Sequence, residues 1–342
     1  MRVVDIEAHW TTAAIDRALR AQPAERRDES VVLNDRGDIP ARLLDIGDGR
    51  IEAMDRAGID LQILSIVPPG THGLPAREAI ALSREANDRA TEAVDRYPDR
   101  LRAMTTLPMS DPEAAVAELE RSGTAPAQVG VMSYGRCGER SLDDPVYDEL
   151  LGAAASLARP VFIHPQIPPE AVRDASYRGF DPIVDLGLAT FGWGWHIEAA
   201  IAALRLIVRG TFDRHPDLQI VLGHWGELLL FWLDRIDSLS NVARLERRVA
   251  EYFQTNIRIA TSGMLTPRLL RHALDFTSVD RILFSSDYPF HQLDPSSLAD
   301  LLERLPDDAR QKIAHANAES LYHLQPRSTA AEQTIPRVGE QA

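Results

Sequence analysis

Lysine and cysteine are the two residue types that this sequence almost lacks. Lys312 is the only lysine among 37 basic residues, so arginine carries nearly all of the positive charge. A mechanism that needs an active-site lysine therefore has one candidate, close to the C-terminus. Cys137 is the only cysteine, which excludes an intrachain disulfide and agrees with a reducing compartment such as the cytoplasm.

Long apolar runs and an excess of positive charge are also missing. No apolar stretch reaches the roughly 20 residues of a membrane span, and residues 1–7 lack the layout of a signal peptide. The formal net charge is −14 and the arginines are spread along the chain, which argues against binding to nucleic acid or to an anionic membrane. We therefore expect a cytoplasmic protein that acts on a small molecule.

Short β-branched or apolar runs recur along the chain with helical periodicity between them, as in repeated strand–helix units around a parallel sheet. The predicted strands are residues 3–9, 61–67, 101–107, 129–133, 161–164, 220–224, 257–262 and 282–286. The predicted helices cover residues 76–96, 112–123, 146–158, 198–209, 267–273 and 296–304. An open, doubly wound sheet is the competing arrangement, but no glycine-rich turn for a dinucleotide follows the first strand. The sequence favours a (β/α)8 TIM barrel.

Two insertions interrupt this rhythm: the first insertion, residues 11–50, after the first strand, and the second insertion, residues 165–195, after the fifth. Both follow the C-termini of strands, where barrel active sites are built, so each is placed to cover the site. Lining a pocket and packing against the rim are equal alternatives for the aromatic segment 191–195. We expect a single domain over residues 1–323, followed by a mobile tail over residues 324–342.

Side chains of the types that bind metals stand at the ends of four predicted strands that are otherwise apolar. Glu7 and His9 are two residues apart, so their side chains point to the same face of the first strand. His164, His224 and Asp287 end or follow the fifth, sixth and eighth strands. In a parallel barrel these strand ends converge on one face. Imidazole and carboxylate groups together suit Zn²⁺ or Mn²⁺, so the pattern favours a catalytic metal site over isolated, hydrogen-bonded histidines.

Four motifs around these residues resemble the amidohydrolase superfamily: residues 5–10 (DIEAHW), 162–165 (FIHP), 221–227 (VLGHWGE) and 284–290 (FSSDYPF). The chain is most similar to the aminocarboxymuconate-semialdehyde decarboxylase group, and within it to hydroxybenzoate decarboxylases of the γ-resorcylate type. Many superfamily members begin with two histidines, whereas here glutamate comes first, as it often does in hydroxybenzoate decarboxylases. The fourth strand has no lysine that could be carboxylated and bridge two metals. The resemblance thus implies one divalent ion per chain, with Zn²⁺ favoured and Mn²⁺ or Mg²⁺ as alternatives.

The resemblance also implies roles for single residues. The implied metal ligands are Glu7, His9, His164 and Asp287. His224 would stand beside the metal ion and contact the substrate, and Glu227 would orient His224 through a hydrogen bond. Arg235 would reach into the site of the second subunit of a homodimer. An exposed helical arginine paired with Asp234 or Asp237 is an equal alternative for Arg235.

The apolar run of residues 228–233 supports the expected homodimer, because six consecutive apolar residues exceed what one buried helix stripe requires. Trp10 and Phe290 are candidate aromatic walls for a planar substrate, with packing as the alternative. His72, in a loop after the second strand, and His196, after the aromatic segment, are weaker candidates for substrate contact. We expect the remaining histidines, His291 included, on the surface or in packing roles.

These features favour a metal-dependent, non-oxidative decarboxylase of a hydroxylated aromatic or similarly conjugated carboxylic acid. The metal would serve as Lewis acid and template, and Asp287 would deliver a proton to the carbon that bears the carboxylate. His224 and Arg235 would stabilise the charge that develops on oxygen. The runner-up is a metal-dependent hydrolase or hydratase with the same ligands, acting on an ester, lactone, amide or unsaturated acid. A non-catalytic binding module is the third class.

Overall fold

The computed structural model of the protein describes residues 1–324, and a sheet of eight parallel strands forms its centre. Each strand pairs with the next along the chain, and the strand residues are almost all buried on both faces, as in parallel sheets covered by helices. We number the strands β1 (Val4–Trp10), β2 (Leu61–Ile66), β3 (Leu101–Thr106), β4 (Gln128–Ser133), β5 (Val161–Ile163), β6 (Ile220–Leu222), β7 (Ile257–Ala260) and β8 (Ile282–Leu283). The predicted (β/α)8 barrel is thus confirmed.

The barrel closes where β1 meets the segment that follows β8. The amide of Asp287 donates to the carbonyl of Glu7 at 3.1 Å, and the amide of His9 donates to the carbonyl of Tyr288 at 2.6 Å. These bonds bring the two ends of the barrel sequence side by side. Consequently Asp287 is fixed directly beside Glu7 and His9.

Helices surround the barrel and follow the predicted periodicity closely. The helix at Ala76–Arg96 has the predicted bounds, whereas the predicted helix over 146–158 begins as a 3₁₀ turn, Pro145–Tyr147. The α-helices are Ala13–Ala21, Ile39–Leu44, Asp48–Ala57, Ala76–Arg96, Pro112–Ser122, Asp148–Ser156, Glu170–Ser176, Pro182–Ala189, Gly194–Val208, Thr211–Arg214, Leu233–Ile236, Leu239–Ala243, Val249–Thr255, Pro267–Phe276, Pro295–Leu302, Asp307–Gln311 and Asn317–Leu321. Further 3₁₀ turns lie at Ala24–Arg26, Glu29–Asp35, Leu229–Trp232 and Val279–Arg281, a π-helical turn at Lys312–Ala316, and a short hairpin at Arg136–Cys137 and Arg140–Ser141.

Three of the helices begin at an Asp-Pro pair, which explains their sharp starts. In each pair the aspartate is the N-cap, and its carboxylate accepts a hydrogen bond from a backbone amide in the first turn. Proline fits the first helical position because its missing N–H has no partner there in any case. The pairs are Asp111-Pro112, Asp181-Pro182 and Asp294-Pro295.

Both insertions carry helical structure of their own. The first contains Ala13–Ala21 and the 3₁₀ turn Glu29–Asp35, and the second contains Glu170–Ser176 and Pro182–Ala189. An ion pair of 3.0 Å between Glu29 and Arg173 joins the two insertions. They therefore lie against each other above the C-terminal ends of the strands.

The opposite end of the barrel holds the only lysine. Lys312 Nζ lies 2.6 Å from Oδ1 of Asp280, and Asp280 belongs to the turn that leads into β8. Lys312 thus lies at the N-terminal end of the strands, away from the end where barrel enzymes collect their catalytic groups. No helix within residues 1–324 combines the length and the apolar character that crossing a membrane requires. The predicted tail, apart from Leu324, lies outside the described residues.

Candidate active site and metal centre

Four side chains converge at the C-terminal ends of β1, β5 and β8, and all of them are buried: Glu7, His9, His164 and Asp287. One possible ligand atom from each lies within 4.8 Å of all the others. His9 Nε2 is 3.2 Å from Oδ1 of Asp287 and 3.7 Å from Oε1 of Glu7. His164 Nε2 is 3.6 Å from the same oxygen of Glu7. The structure therefore gathers the ligand set that the sequence implied.

The chemistry of this cluster fits a divalent metal ion. Oε1 of Glu7 and Nε2 of His9 are buried and have no hydrogen-bond partner within residues 1–324, an arrangement that is costly unless something else satisfies them. His164 Nδ1 donates to the carbonyl of Pro165 at 2.7 Å, which leaves the lone pair of Nε2 directed at the cluster. Two imidazoles and two carboxylates form a donor set that suits one such ion.

The pKa shifts within the cluster also fit a divalent metal ion. Burial lowers the pKa of His164 to about 3, so this imidazole is neutral, the form that binds metals. Burial by itself raises the pKa of Glu7, but the nearby imidazoles of His9, His164 and His224 hold it well below its usual range. Burial lowers the pKa of His9, yet the carboxylates of Asp287 and Glu7 outweigh it and raise that pKa to about 9. Two converging carboxylates thus favour positive charge at this buried point.

Two serines that the sequence analysis overlooked form hydrogen bonds or close contacts with the candidate ligands Glu7 and His9. Ser262 donates from Oγ to Oε2 of Glu7, and Ser65 lies with Oγ 3.3 Å from Nδ1 of His9. Such bonds fix the orientation of a metal ligand and tune its basicity. Neither serine belongs to a recognisable motif, so only the folded structure identifies them.

Asp5, which the sequence analysis missed, is a buried carboxylate next to the cluster. Its carboxylate accepts hydrogen bonds from the amide and the hydroxyl of Ser286, at 2.8 and 2.5 Å, and from the side chain of Gln62 at 2.9 Å. Burial raises the pKa of Asp5 to about 6, against the effect of these bonds. By holding Ser286, Asp5 fixes the turn that carries Asp287. The spacing of Asp5, two residues before Glu7, was an incomplete signal, because the pairing of β1 with β2 shifts register between Asp5 and Ala8.

The residues that follow β6 form a left-handed turn. Over His224–Leu228 the five φ angles are 46°, 59°, 84°, 52° and 68°, and only Gly226 is suited to such values. A left-handed backbone costs an L-residue roughly 1–2 kcal/mol, so surrounding contacts must hold the turn. One is the hydrogen bond from Trp225 Nε1 to the carbonyl of Met264, at 2.8 Å. The turn directs both His224 and Glu227 toward the cluster.

Glu227 is buried and uses both of its carboxylate oxygens. Oε1 accepts from Nδ1 of His224 at 2.7 Å, and Oε2 accepts from Nδ1 of His196 at 2.8 Å. Burial lowers the pKa of His224, but the charge and hydrogen bond of Glu227 raise it to about 9. The histidines in turn keep the pKa of Glu227 below its usual range, despite burial. The geometry thus provides the His224–Glu227 bond that the resemblance implied and adds a second histidine.

A cavity of about 230 Å³ opens directly onto the cluster. Its walls combine aromatic and apolar side chains with polar and charged groups. They comprise Ser30, Leu33, Asn34, Arg36, Pro68, His164, Phe191, Trp195, His224, Asp287, Phe290 and His291. A single planar ring in such a space would lie against Phe290, whose own ring is 5.8 Å from that of His9.

Three of the predicted substrate-contacting residues do not lie on the cavity wall. Trp10 follows His9 by one residue, so it points to the opposite face of β1, where it is buried in the hydrophobic core. His72 is also buried, and its Nδ1 donates to the carbonyl of Arg136 at 3.1 Å. His196 faces Glu227 instead. Of the four predicted contacts, the structure places only Phe290 at the cavity.

Both insertions contribute residues to the wall. Residues 30–36 reach the cavity from a 3₁₀ turn, and the Arg36 guanidinium stands 5.6 Å above the ring of Phe191. For the aromatic segment 191–195, the alternative of lining a pocket holds at Phe191 and Trp195. His291, expected on the surface, also lines the cavity, with Nε2 3.6 Å from Oδ2 of Asp287.

Arg235 is exposed and lies outside the cavity of its own chain. Of its two alternative partners, Asp234 and Asp237, the latter pairs with Arg248 instead. Within residues 1–324 the Arg235 side chain makes no ion pair. The ion pair of Arg235 with Asp234 or Asp237, which was the alternative to a role in a second subunit, is therefore absent from the described residues.

Comparison with known proteins agrees with this geometry. The family model described as amidohydrolase matches residues 4–324. The chain belongs to the amidohydrolase family. Over 296 residues this amidohydrolase is 36% identical to the gamma-resorcylate decarboxylase of Rhizobium radiobacter, a match that covers 83% of this chain and 89% of that protein.

Two solved structures extend the likeness to three dimensions. The 5-carboxyvanillate decarboxylase of Novosphingobium aromaticivorans, in complex with manganese and 4-hydroxy-3-methoxy-5-nitrobenzoic acid, matches with a TM-score of 0.86 and 28% identity, over 94% of this chain and 96% of that one. The dihydroxybenzoic acid decarboxylase of Polaromonas sp., with manganese and the inhibitor 2-nitroresorcinol, matches with a TM-score of 0.79 and 30% identity, over 94% and 97%. These relatives are carboxy-lyases. The comparisons therefore do not favour the alternative of a hydrolase or hydratase.

Proposed function

We propose that this amidohydrolase is a metal-dependent, non-oxidative decarboxylase of a hydroxylated aromatic acid. The observation that carries the proposal is a buried metal-ligand cluster that opens into a cavity with aromatic walls, with His224 beside it. Its relatives decarboxylate gamma-resorcylate, 5-carboxyvanillate and dihydroxybenzoic acid, which are all hydroxylated aromatic acids. A cavity of about 230 Å³ favours substrates with one ring.

The cluster would hold one divalent ion through Glu7, His9, His164 and Asp287. When bound, the ion supplies Lewis acidity and a template for the oxygens of the substrate. The sequence favours Zn²⁺, and the manganese bound in two structural relatives makes Mn²⁺ the second candidate. Elemental analysis of the purified protein decides between them.

Asp287 is the proposed proton donor. Its Oδ1 faces His9, whereas Oδ2 lies on the side of His291 at the cavity wall. We assign to Oδ2 the proton that forms the new C–H bond at the ring carbon bearing the carboxylate. The ring then loses its aromaticity, the C–CO₂ bond breaks, and the electron pair of that bond restores the aromatic ring. The products are CO₂ and the decarboxylated phenol.

His224 is the proposed contact to a substrate oxygen. Because its Nδ1 donates to Glu227, the opposite ring nitrogen, Nε2, is left for the substrate. An imidazole whose pKa is raised by a buried carboxylate can stabilise negative charge that develops on oxygen. Glu227 would thus orient His224 and favour its protonated form.

We further propose a homodimer in which each subunit lends Arg235 to the other subunit's site. Phe231 and Trp232 precede Arg235 with 69% and 58% of their surfaces exposed, a large apolar area for side chains of this size. A two-fold contact would cover the rings of Phe231 and Trp232 and place Arg235 at the other subunit's site. The single-domain organisation over residues 1–323 and the cytoplasmic location stay predictions.

The function is tested by a CO₂-release assay with a panel of hydroxybenzoates, run beside esters, lactones and amides. We expect CO₂ from hydroxybenzoates with a hydroxyl next to the carboxylate, and loss of this activity after chelation. Hydrolysis of an ester, lactone or amide without CO₂ release from any hydroxybenzoate would contradict the proposal.

A further inference from the structure

Glu227 holds two histidines, and the proposed function accounts for only one of them. Oε1 accepts a hydrogen bond from His224, which faces the cavity. Oε2 accepts a hydrogen bond from His196, which does not line the cavity. A buried carboxylate that needed only a second donor could take a backbone amide. Here it takes an imidazole from a different part of the chain, at the start of the helix Gly194–Val208.

The backbone around Glu227 makes its side-chain bonds important. Glu227 lies within the left-handed turn of His224–Leu228, in which four of five residues are not glycine. Such a turn persists only when the surroundings determine it. Both oxygens of Glu227 are engaged by histidine, so His196 is one of the two groups that fix the carboxylate. Loss of His196 would leave Glu227 held by His224 alone.

The other edge of His196 faces the second insertion. Its Nε2 lies 3.1 Å from the indole N–H of Trp195 and 3.2 Å from the carbonyl of Phe191. Both Phe191 and Trp195 line the cavity, and Phe191 lies beneath Arg36 of the first insertion. His196 therefore connects the aromatic wall of the cavity to Glu227.

We propose that His196 is a positioning residue that connects the aromatic wall of the second insertion to His224 through Glu227. Resting on the proposed function, this means that a ring packed against Phe191 and Trp195 fixes the orientation of the imidazole that contacts the substrate. His196 touches neither substrate nor metal ion. Its contribution therefore concerns turnover more than substrate binding.

Two substitutions test whether His196 acts through its hydrogen bond to Glu227 or only by filling space. His196→Asn places an amide N–H near the position of Nδ1 and keeps the donor to Glu227, whereas His196→Leu fills similar space without a donor. We expect His196→Leu to lower kcat by about 10- to 100-fold, the effect of losing one charge-assisted hydrogen bond, with KM changed less than about threefold. His196→Asn should retain most of the activity.

His315→Leu is the matched control. His315 bonds to Glu319 at 3.0 Å and its side chain is 18% exposed, as is that of His196, but it lies in the π-helical turn that also carries Lys312, far from the cavity. This variant should keep wild-type turnover. Equal melting temperatures of His196→Leu and His315→Leu would show that lost turnover at His196 is not lost folding.

Coupling to Glu227 is tested by combining His196→Leu with Glu227→Gln. If His196 acts through Glu227, the double variant is about as slow as Glu227→Gln alone. Independent, multiplicative losses would overturn the proposal, and so would wild-type kcat in His196→Leu or equal losses in the Leu and Asn variants.

A second readout does not depend on activity. In ¹⁵N-histidine-labelled protein, the Nδ1–H resonance of His224, identified by its loss in His224→Asn, should shift or broaden in His196→Leu and stay in place in His196→Asn. An unchanged resonance in His196→Leu would refute the positioning role. A wild-type protein that releases no CO₂ would refute the proposed function, while the resonance would still decide the role of His196.

Discussion

Ser262→Ala isolates one contact of the proposed metal centre. Ser262 is fully buried and donates its hydroxyl to Oε2 of Glu7, while the other oxygen of Glu7 faces the two histidines. The backbone of Ser262 is held independently, because its amide donates to Oγ of Ser285 at 2.7 Å. Alanine tolerates the φ of 41° about as well as serine, so the substitution removes the hydroxyl without adding backbone strain.

The expected effect is a loss of metal affinity of about 10- to 100-fold, the usual cost of removing a group that supports a metal ligand. This corresponds to about 1.4–2.7 kcal/mol, which agrees with the value of a hydrogen bond to a charged group. Titration of metal-free protein with Mn²⁺ or Zn²⁺ against a chelating dye measures the affinity directly. The melting temperature should also rise less on metal addition than it does for the wild type.

Ser83→Ala provides the control. Ser83 is as deeply buried, and its hydroxyl bonds to that of Thr71 at 2.9 Å, away from the cluster. It should destabilise the fold without changing metal affinity. If Ser262→Ala binds metal within twofold of the wild type, Glu7 is not held by Ser262 in the way the structure indicates.

Four further predictions concern the site and its surroundings. Asp287→Asn should lower turnover by about 10²- to 10⁴-fold with an unchanged circular dichroism spectrum, because an amide cannot deliver a proton; near-normal turnover would refute its role. Elemental analysis should find one metal ion per chain, held by Glu7, His9, His164 and Asp287, and a reproducible stoichiometry of two would contradict this prediction. Inactive Asp287→Asn subunits mixed with inactive Arg235→Ala subunits should regain activity, because each mixed dimer contains one complete site; no regain despite confirmed subunit exchange would place Arg235 outside the partner's site. Burial lowers the pKa of His72 to about 4, so between pH 6.5 and 4 the unfolded chain binds a proton that the folded chain does not, and stability falls with falling pH. In metal-free His72→Gln, the free energy of unfolding in urea should no longer show the fall caused by His72, which is about 3 kcal/mol at pH 4. The same pH dependence in the variant and the wild type would contradict this prediction.

Strand geometry explains why the barrel and its ligand cluster could be predicted. Glu7 and His9 share a face because side chains alternate along a strand, and parallel strand ends meet at one end of a barrel. His164 ends a short apolar run, and Asp287 follows a run that begins with Ile282-Leu283-Phe284, both of the kind that forms buried strands in a parallel sheet. Local sequence therefore determines where these four side chains lie.

The rest of the site depends on contacts that local sequence does not encode. Nothing about Trp225 or Leu228 predicts a positive φ, because such residues rarely adopt it, so the left-handed turn comes from its surroundings. Glu227 meets His196 across two elements, and no spacing rule connects them. Residues 30–36 reach the cavity from a 3₁₀ turn that has no amphipathic period.

The position of Lys312 has a practical consequence for attaching this protein to a surface. Arginine does not react with the reagents that couple primary amines, so Lys312 is the only side chain that such reagents can modify. It is partly exposed at the N-terminal end of the strands. Immobilisation through amines should therefore orient every molecule with its cavity directed away from the support, open to dissolved substrate.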